Sequence, residues 1–153
     1  MFTKIGLGFV LVILISVSGF SRAHAVTFKD IAANKEYFFF TKNTLDITDG
    51  ILIADSIWTK NRFLIVSDEK GYLGFRTYYV FVKTPSRTNP EQITIGGKIS
   101  VRGMVKRVSE SDIWERDTYD QIYHWLKTSR ALPHIPGKPT FLYYIDAEEI
   151  IQE

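Results

Sequence analysis

Apolar positions change their spacing several times along this chain, and each change predicts an element. Ile5 to Phe20 is an almost unbroken apolar run. Val26 to Lys35 is mixed and predicts a short helix or loop, after which Tyr37-Phe38-Phe39-Phe40 sets four aromatics in succession, a pattern that asks for burial on both faces. Asn43 to Gly50 carries turn formers and ends in Asp49-Gly50. Ile51 to Trp58 then alternates as a strand, with Ile51, Ile53, Asp55 and Ile57 on one face. Phe63 to Val66 predicts a short apolar strand between Lys60-Asn61 and the turn Ser67 to Gly71, so a hairpin is expected here. Arg76 to Lys83 alternates again, Tyr78, Val80 and Val82 against Tyr79, Phe81 and Lys83, and stops at Pro85.

Beyond a polar loop that contains Pro90, Gly96-Gly97 opens the clearest strand. Lys98, Ser100 and Arg102 alternate there with Ile99, Val101 and, past Gly103, Val105, and the internal glycine predicts a bulge or sharp bend. Asp117 to Arg130 is the one convincing helix, because Tyr119, Ile122, Tyr123 and Leu126 share a face at i, i+3, i+4 and i+7. Pro133 and Pro136-Gly137 end it. Phe141 to Ile145 predicts a last strand, trailing into Asp146 to Ile151.

The first 25 residues have the organisation of a cleavable export signal. Lys4 provides the positive start, Ile5 to Phe20 the apolar stretch, and Ala23-His24-Ala25 the small-x-small site, with cleavage expected after Ala25. The apolar run is shorter than the ~20 residues a spanning helix needs, so no stable membrane span is expected after cleavage. Export also revises the charge. Lys4 and Arg22 leave with the signal, so 17 of the 19 basic residues remain to balance 17 acidic ones. A neutral chain lacks the clustered cations that phosphate backbones demand, which argues against nucleic acid as a partner.

With no cysteine there is neither a disulfide framework nor a thiolate metal site nor a lipid-anchor cysteine, and no Asn-x-Ser/Thr sequon occurs. The expected compartment is therefore the bacterial periplasm or the secreted fraction. The 45% hydrophobic and 24% charged balance belongs to a folded domain. The expected division is a signal at 1–25, an N-terminal extension at 26–49 and a single β-domain at 50–153.

The segment Gly96-Gly97-Lys98-Ile99-Ser100-Val101-Arg102-Gly103-Met104-Val105, with a closing segment Tyr144-Ile145-Asp146-Ala147-Glu148-Glu149-Ile150, resembles the corresponding strands of small exported bacterial OB-fold domains. The resemblance spans roughly Gly50 to Ile151. It implies a mainly β fold, a small five-stranded OB-like Greek-key barrel with one helix inserted before the last strand. That helix departs from the family pattern, where the helix lies between the third and fourth strands.

Motifs for catalysis are missing: there is no H-E-x-x-H, G-x-S-x-G, G-x-G-x-x-G or phosphate-cradling loop. His124 falls opposite the apolar helix stripe and His134 sits between prolines, so neither suggests a metal or a base. The D-G-D-T-type entry and arginine segment of staphylococcal-type nucleases are also missing, and Asp46 to Gly50 reads as a turn. Asp146, Glu148 and Glu149 could in principle form a cation or acid/base site, but adjacent strand residues face opposite ways. Lys98, Arg102 and Lys106 share a strand face and could form a basic stripe. Aromatics are in excess, since Trp58, Tyr72, Tyr78, Tyr79, Trp114 and Trp125 exceed what so small a domain can bury.

These features lead to one expectation: a non-catalytic periplasmic binding module, without cofactor or metal, that docks another envelope protein. The candidate interface is Trp58, Tyr78, Trp114, Trp125, Lys98 and Arg102. The alternatives are a small carboxylate-dependent hydrolase and an oligosaccharide- or oligonucleotide-binding OB domain.

Overall fold

The computed structural model describes residues 24–58, 61–69, 75–85, 93–129 and 137–153. The expected signal, apart from His24 and Ala25, lies outside them, as do Tyr72 and His134. The elements in chain order are β1 (His24–Thr27), α1 (Phe28–Ala33), α2 (Lys35–Thr41), β2 (Leu45–Trp58), β3 (Asn61–Ser67), β4 (Val80–Lys83), β5 (Lys98–Ser109), α3 (Arg116–Thr128) and β6 (Phe141–Gln152). The protein is mainly β, built on one mixed six-stranded sheet of order β1-β2-β3-β4-β6-β5.

The sheet returns on itself because β2 also pairs with β5. One strand serves two neighbours by bending. Leu45 to Ile51 pair with β5 and Ile51 to Trp58 with β3, and register shifts at Ile47/Gly50 and Leu52/Ala54 break the ladders. At the first shift Asp49 takes a left-handed φ of 63°. Gly50 follows where a Cβ would run into Val66 and the Phe28 ring, so the Asp49-Gly50 pair expected as a turn before the strand is a kink inside it. The ring is not a regular barrel. β4 has four residues and meets β6 in parallel over only two pairs, Val82 with Ile145 and Lys83 with Asp146.

The residues expected as a separate extension belong to this architecture. Leu45 to Asp49 are the first part of β2, and β1 lies parallel along Leu45 to Thr48 on the edge that β3 leaves free. Cleavage after Ala25 would leave Val26 and Thr27 of β1 in place. Thr27 then caps α1 in a reciprocal capping box with Asp30. The Asp30 N–H donates to Thr27 Oγ1 at 3.1 Å and the Thr27 N–H to Asp30 Oδ2 at 3.0 Å, holding the Asp30 carboxyl below its ordinary pKa.

Alternation along β3 assigns two cores to opposite faces of one sheet. Leu64 and Val66 join the inner core with Leu45, Ile47, Ile99 and Val101, and α1 closes it with Phe28 and Ile31. Phe63 and Ile65 join the outer core with Phe81, Leu142 and Tyr144, covered by Tyr119, Ile122 and Leu126 of α3. The predicted helix stripe is therefore the buried face. Gln121 adds polar stitching, its Nε2 donating to the Ser56 carbonyl at 3.0 Å and the Asn61 carbonyl at 3.3 Å.

The aromatic run departs from expectation. Tyr37 to Phe40 form part of α2, and none of them is buried. Successive residues on a helix point about 100° apart, so only the Phe38-Phe39 side can meet the sheet while Tyr37 and Phe40 face out.

Candidate docking surface

The six expected interface residues are dispersed. Trp58 ends β2, partly exposed, its ring 5.9 Å from the His124 imidazole on α3. Tyr78 is buried in the inner core, where desolvation pushes its hydroxyl up to about 12, and Ser67 Oγ donates to its carbonyl. Trp125 is half-buried, packing at 5.6 Å from Tyr79 and 5.5 Å from Phe81, so it fastens α3 to the sheet. Trp114, at the other end of α3, is 94% exposed.

The basic stripe is not a free patch. Lys98 is exposed at the start of β5, but Arg102 is held by Asp46 at 2.8 Å and sits opposite Glu149 on β6. That hydrogen bond raises the guanidinium pKa further. Lys106 is half-buried opposite Tyr144. Asp146, Glu148 and Glu149 are exposed along β6, and among the described residues no group of three or more His, Asp or Glu side chains is placed to hold a metal. Of the expected cleavage residues, Ala23 lies outside the described residues and Ala25 is exposed in β1.

Two exposed apolar surfaces stand out instead. The first is the turn between β5 and α3. The Ser111 N–H donates to Ser109 Oγ at 3.1 Å, and the Asp112 N–H to the Ser109 carbonyl at 3.1 Å. The Asp112 carboxylate then accepts the Trp114 N–H at 3.0 Å and the Glu115 N–H at 3.4 Å. Such a side-chain turn fixes the backbone without burying anything. Its product is a pair of adjacent outward side chains, Ile113 at 86% and Trp114 at 94% exposure. Glu115 anchors the far side by accepting the Tyr144 hydroxyl at 3.3 Å, and burial together with that carboxylate drives the Tyr144 pKa upward. Around the turn Glu110, Asp112, Glu115 and Asp117 outnumber the cations Arg116 and Lys138, and Lys138 is itself paired with Glu110 at 3.3 Å.

The second surface surrounds α2. The Arg107 guanidinium lies 4.1 Å from the centroid of Phe141, 4.4 Å from Phe39 and 5.4 Å from Phe40. Lys35 lies 5.9 Å over Tyr143, whose hydroxyl reaches Glu36 at 3.5 Å. Tyr37 and Phe40 remain 65% and 64% exposed beside the exposed Lys42. Here cations predominate.

Sequence reasoning found Trp114 but not Ile113, and it assigned the α2 aromatics to the interior. The Ser-x-Ser-Asp run before the helix was the available signal for the turn. Compared with protein-family models, curated proteins and solved structures, the chain matches none of them.

Proposed function

We propose that this protein is a non-catalytic binding module of the bacterial envelope that docks another protein through the Ile113-Trp114 turn. The observation that carries the reading is the pairing of a hydrogen-bonded backbone with two large apolar side chains left almost fully in water. Exposed aromatic anchors on a rigid support are what dominate binding energy at protein interfaces, and the acidic rim suits a partner with basic residues around an apolar socket.

The scaffold is taken as OB-like. Counting β2, β3, β4, β5 and β6 as strands one to five, the first pairs with the fourth and the third runs parallel to the fifth, as in that family. The short β4 and the helix before the last strand are the departures. Export to the periplasm rests on Lys4, the apolar run and Ala23-His24-Ala25 in the sequence. Among the described residues no helix is long and apolar enough to cross a membrane.

The test is photo-crosslinking in intact cells of the native host, with a photoreactive amino acid at position 114 and, as comparison, at position 148 on the exposed face of β6. A discrete adduct with one envelope protein at 114, absent at 148 and lost on Ile113→Ser, supports the reading. Equal adducts at both positions, or none at 114, would sink it.

A further inference from the structure

The strands β1, β2, β5 and β6 are successive neighbours. Their directions bring the starts of β1, β2 and β6 and the end of β5 towards the same end of the sheet. Phe141 opens β6 and Arg107 lies near the end of β5, so the α2 surface belongs to that end. The polypeptide also enters the sheet there, because β1 begins at His24, and the segment it joins in sequence contains the apolar run Ile5 to Phe20.

We propose that the α2 surface seats on an anionic phospholipid bilayer, with Tyr37, Phe40 and Phe141 at the headgroup boundary and Lys35, Lys42 and Arg107 among the phosphates. Aromatic rings and snorkelling cations are the side chains that suit this boundary. Charge complementarity selects the occupant. Among the described residues, Lys35 and Lys42 flank α2 and Arg107 lies beneath its rings, while the helix itself carries one carboxylate, Glu36, which accepts from the Tyr143 hydroxyl. The Ile113-Trp114 turn, with its acidic surround, lacks this character. The apolar run would bring this end to a membrane only before cleavage after Ala25; for the cleaved chain the charge argument stands alone. The two surfaces are distinct, so this inference and the docking reading can each fail alone.

The chain has no native cysteine, so one introduced thiol labels one site. The full chain carrying Phe40→Cys, with an environment-sensitive fluorophore, is mixed with phosphatidylglycerol vesicles or with phosphatidylcholine vesicles, each containing nitroxide-labelled lipid. Trp114→Cys is labelled as the comparison. Label at 40 should be quenched on phosphatidylglycerol, and Lys35→Gln/Lys42→Gln should weaken that quenching titration by roughly 30-fold. Label at 114 should stay in water. Vesicle association through the apolar run alone would quench label 40 alike on both vesicle types, so quenching confined to phosphatidylglycerol reports the α2 surface itself.

Three results would each overturn the proposal. They are label 40 left in water on bound anionic vesicles, label 40 quenched equally on phosphatidylcholine, and label 40 less quenched than label 114. Shielding of label 40 only when soluble envelope proteins are added would reassign the surface to a protein partner.

Discussion

The two exposed surfaces are held in opposite ways. At α2 the side chains support one another: Phe39, Phe40 and Phe141 gather around Arg107, and Lys35 lies over Tyr143. At the β5–α3 turn the backbone does the holding through Asp112, and Ile113 and Trp114 touch little of their own chain. A surface of the first kind ties stability to recognition. A surface of the second kind separates them, so the residue that binds can be removed without disturbing the fold. The charges differ as well, cationic at α2 and acidic at the turn, which is why different partners are proposed for the two surfaces.

The harshest challenge to this contrast is Tyr119→Ala. Tyr119 is fully buried on the sheet-facing side of α3, stacks 6.1 Å from Tyr123 and donates its hydroxyl to the Pro139 carbonyl. Its loss should cost about 3–5 kcal/mol in urea unfolding and disable both surfaces together, because the sheet supports each of them. Loss of the 114 crosslink with unchanged stability would show that the turn depends on α3 alone.

Alkaline pH probes both cores at once. Folding raises the pKa of Tyr78 inside the ring and of Tyr144 beneath α3, so it disfavours their ionised forms. Their contribution to stability is complete below pH 10 and is lost as pH rises towards about 12, the value reached by Tyr78. Tyrosinate absorbance should therefore show these two groups ionising together with unfolding. Free ionisation of Tyr144 in a folded chain would contradict its burial under α3.

Smaller effects sharpen the contrast itself. Arg107→Ala should lower stability by about 1 kcal/mol in urea unfolding, because three rings lose a shared cation. Trp114→Ser should change stability by less than about 0.5 kcal/mol and yet abolish docking. If Trp114→Ser were the more destabilising of the two, the distinction between side-chain and backbone support would be wrong.

Legibility from sequence followed periodicity. α3 was readable because its apolar positions recur at helical spacing, and β5 because charged and apolar residues alternate along it. α2 was not, since four consecutive aromatics carry no period and the same run suits a buried strand. The expected strand at Arg76 to Lys83 shrinks to Val80–Lys83 because its first part is claimed elsewhere. The Thr77 N–H donates to Asp68 Oδ1 at 3.0 Å and Arg76 reaches the Asp68 carbonyl, so these residues leave the ladder. Alternation also fixes which residues share a face without saying which face is inside, and Tyr78 was assigned to the surface for that reason. Trp114 was legible as surplus aromatic content. Its neighbour Ile113 was not, because exposure of an apolar residue depends on how the Asp112 carboxylate folds the chain.

The place of β1 orders events in time. Ala25 and Val26 are paired with Asp46 and Ile47, so the bond expected to be cut after Ala25 lies in the middle of a hydrogen-bonded ladder once the sheet has formed. A protease acts on chain that has opened, and here opening means peeling β1 from β2. Cleavage at that bond, if the chain is cut there, would therefore be fast on the nascent, unpaired chain and slow afterwards. A molecule that folded first would then keep residues 1–25 for as long as β1 stayed in place.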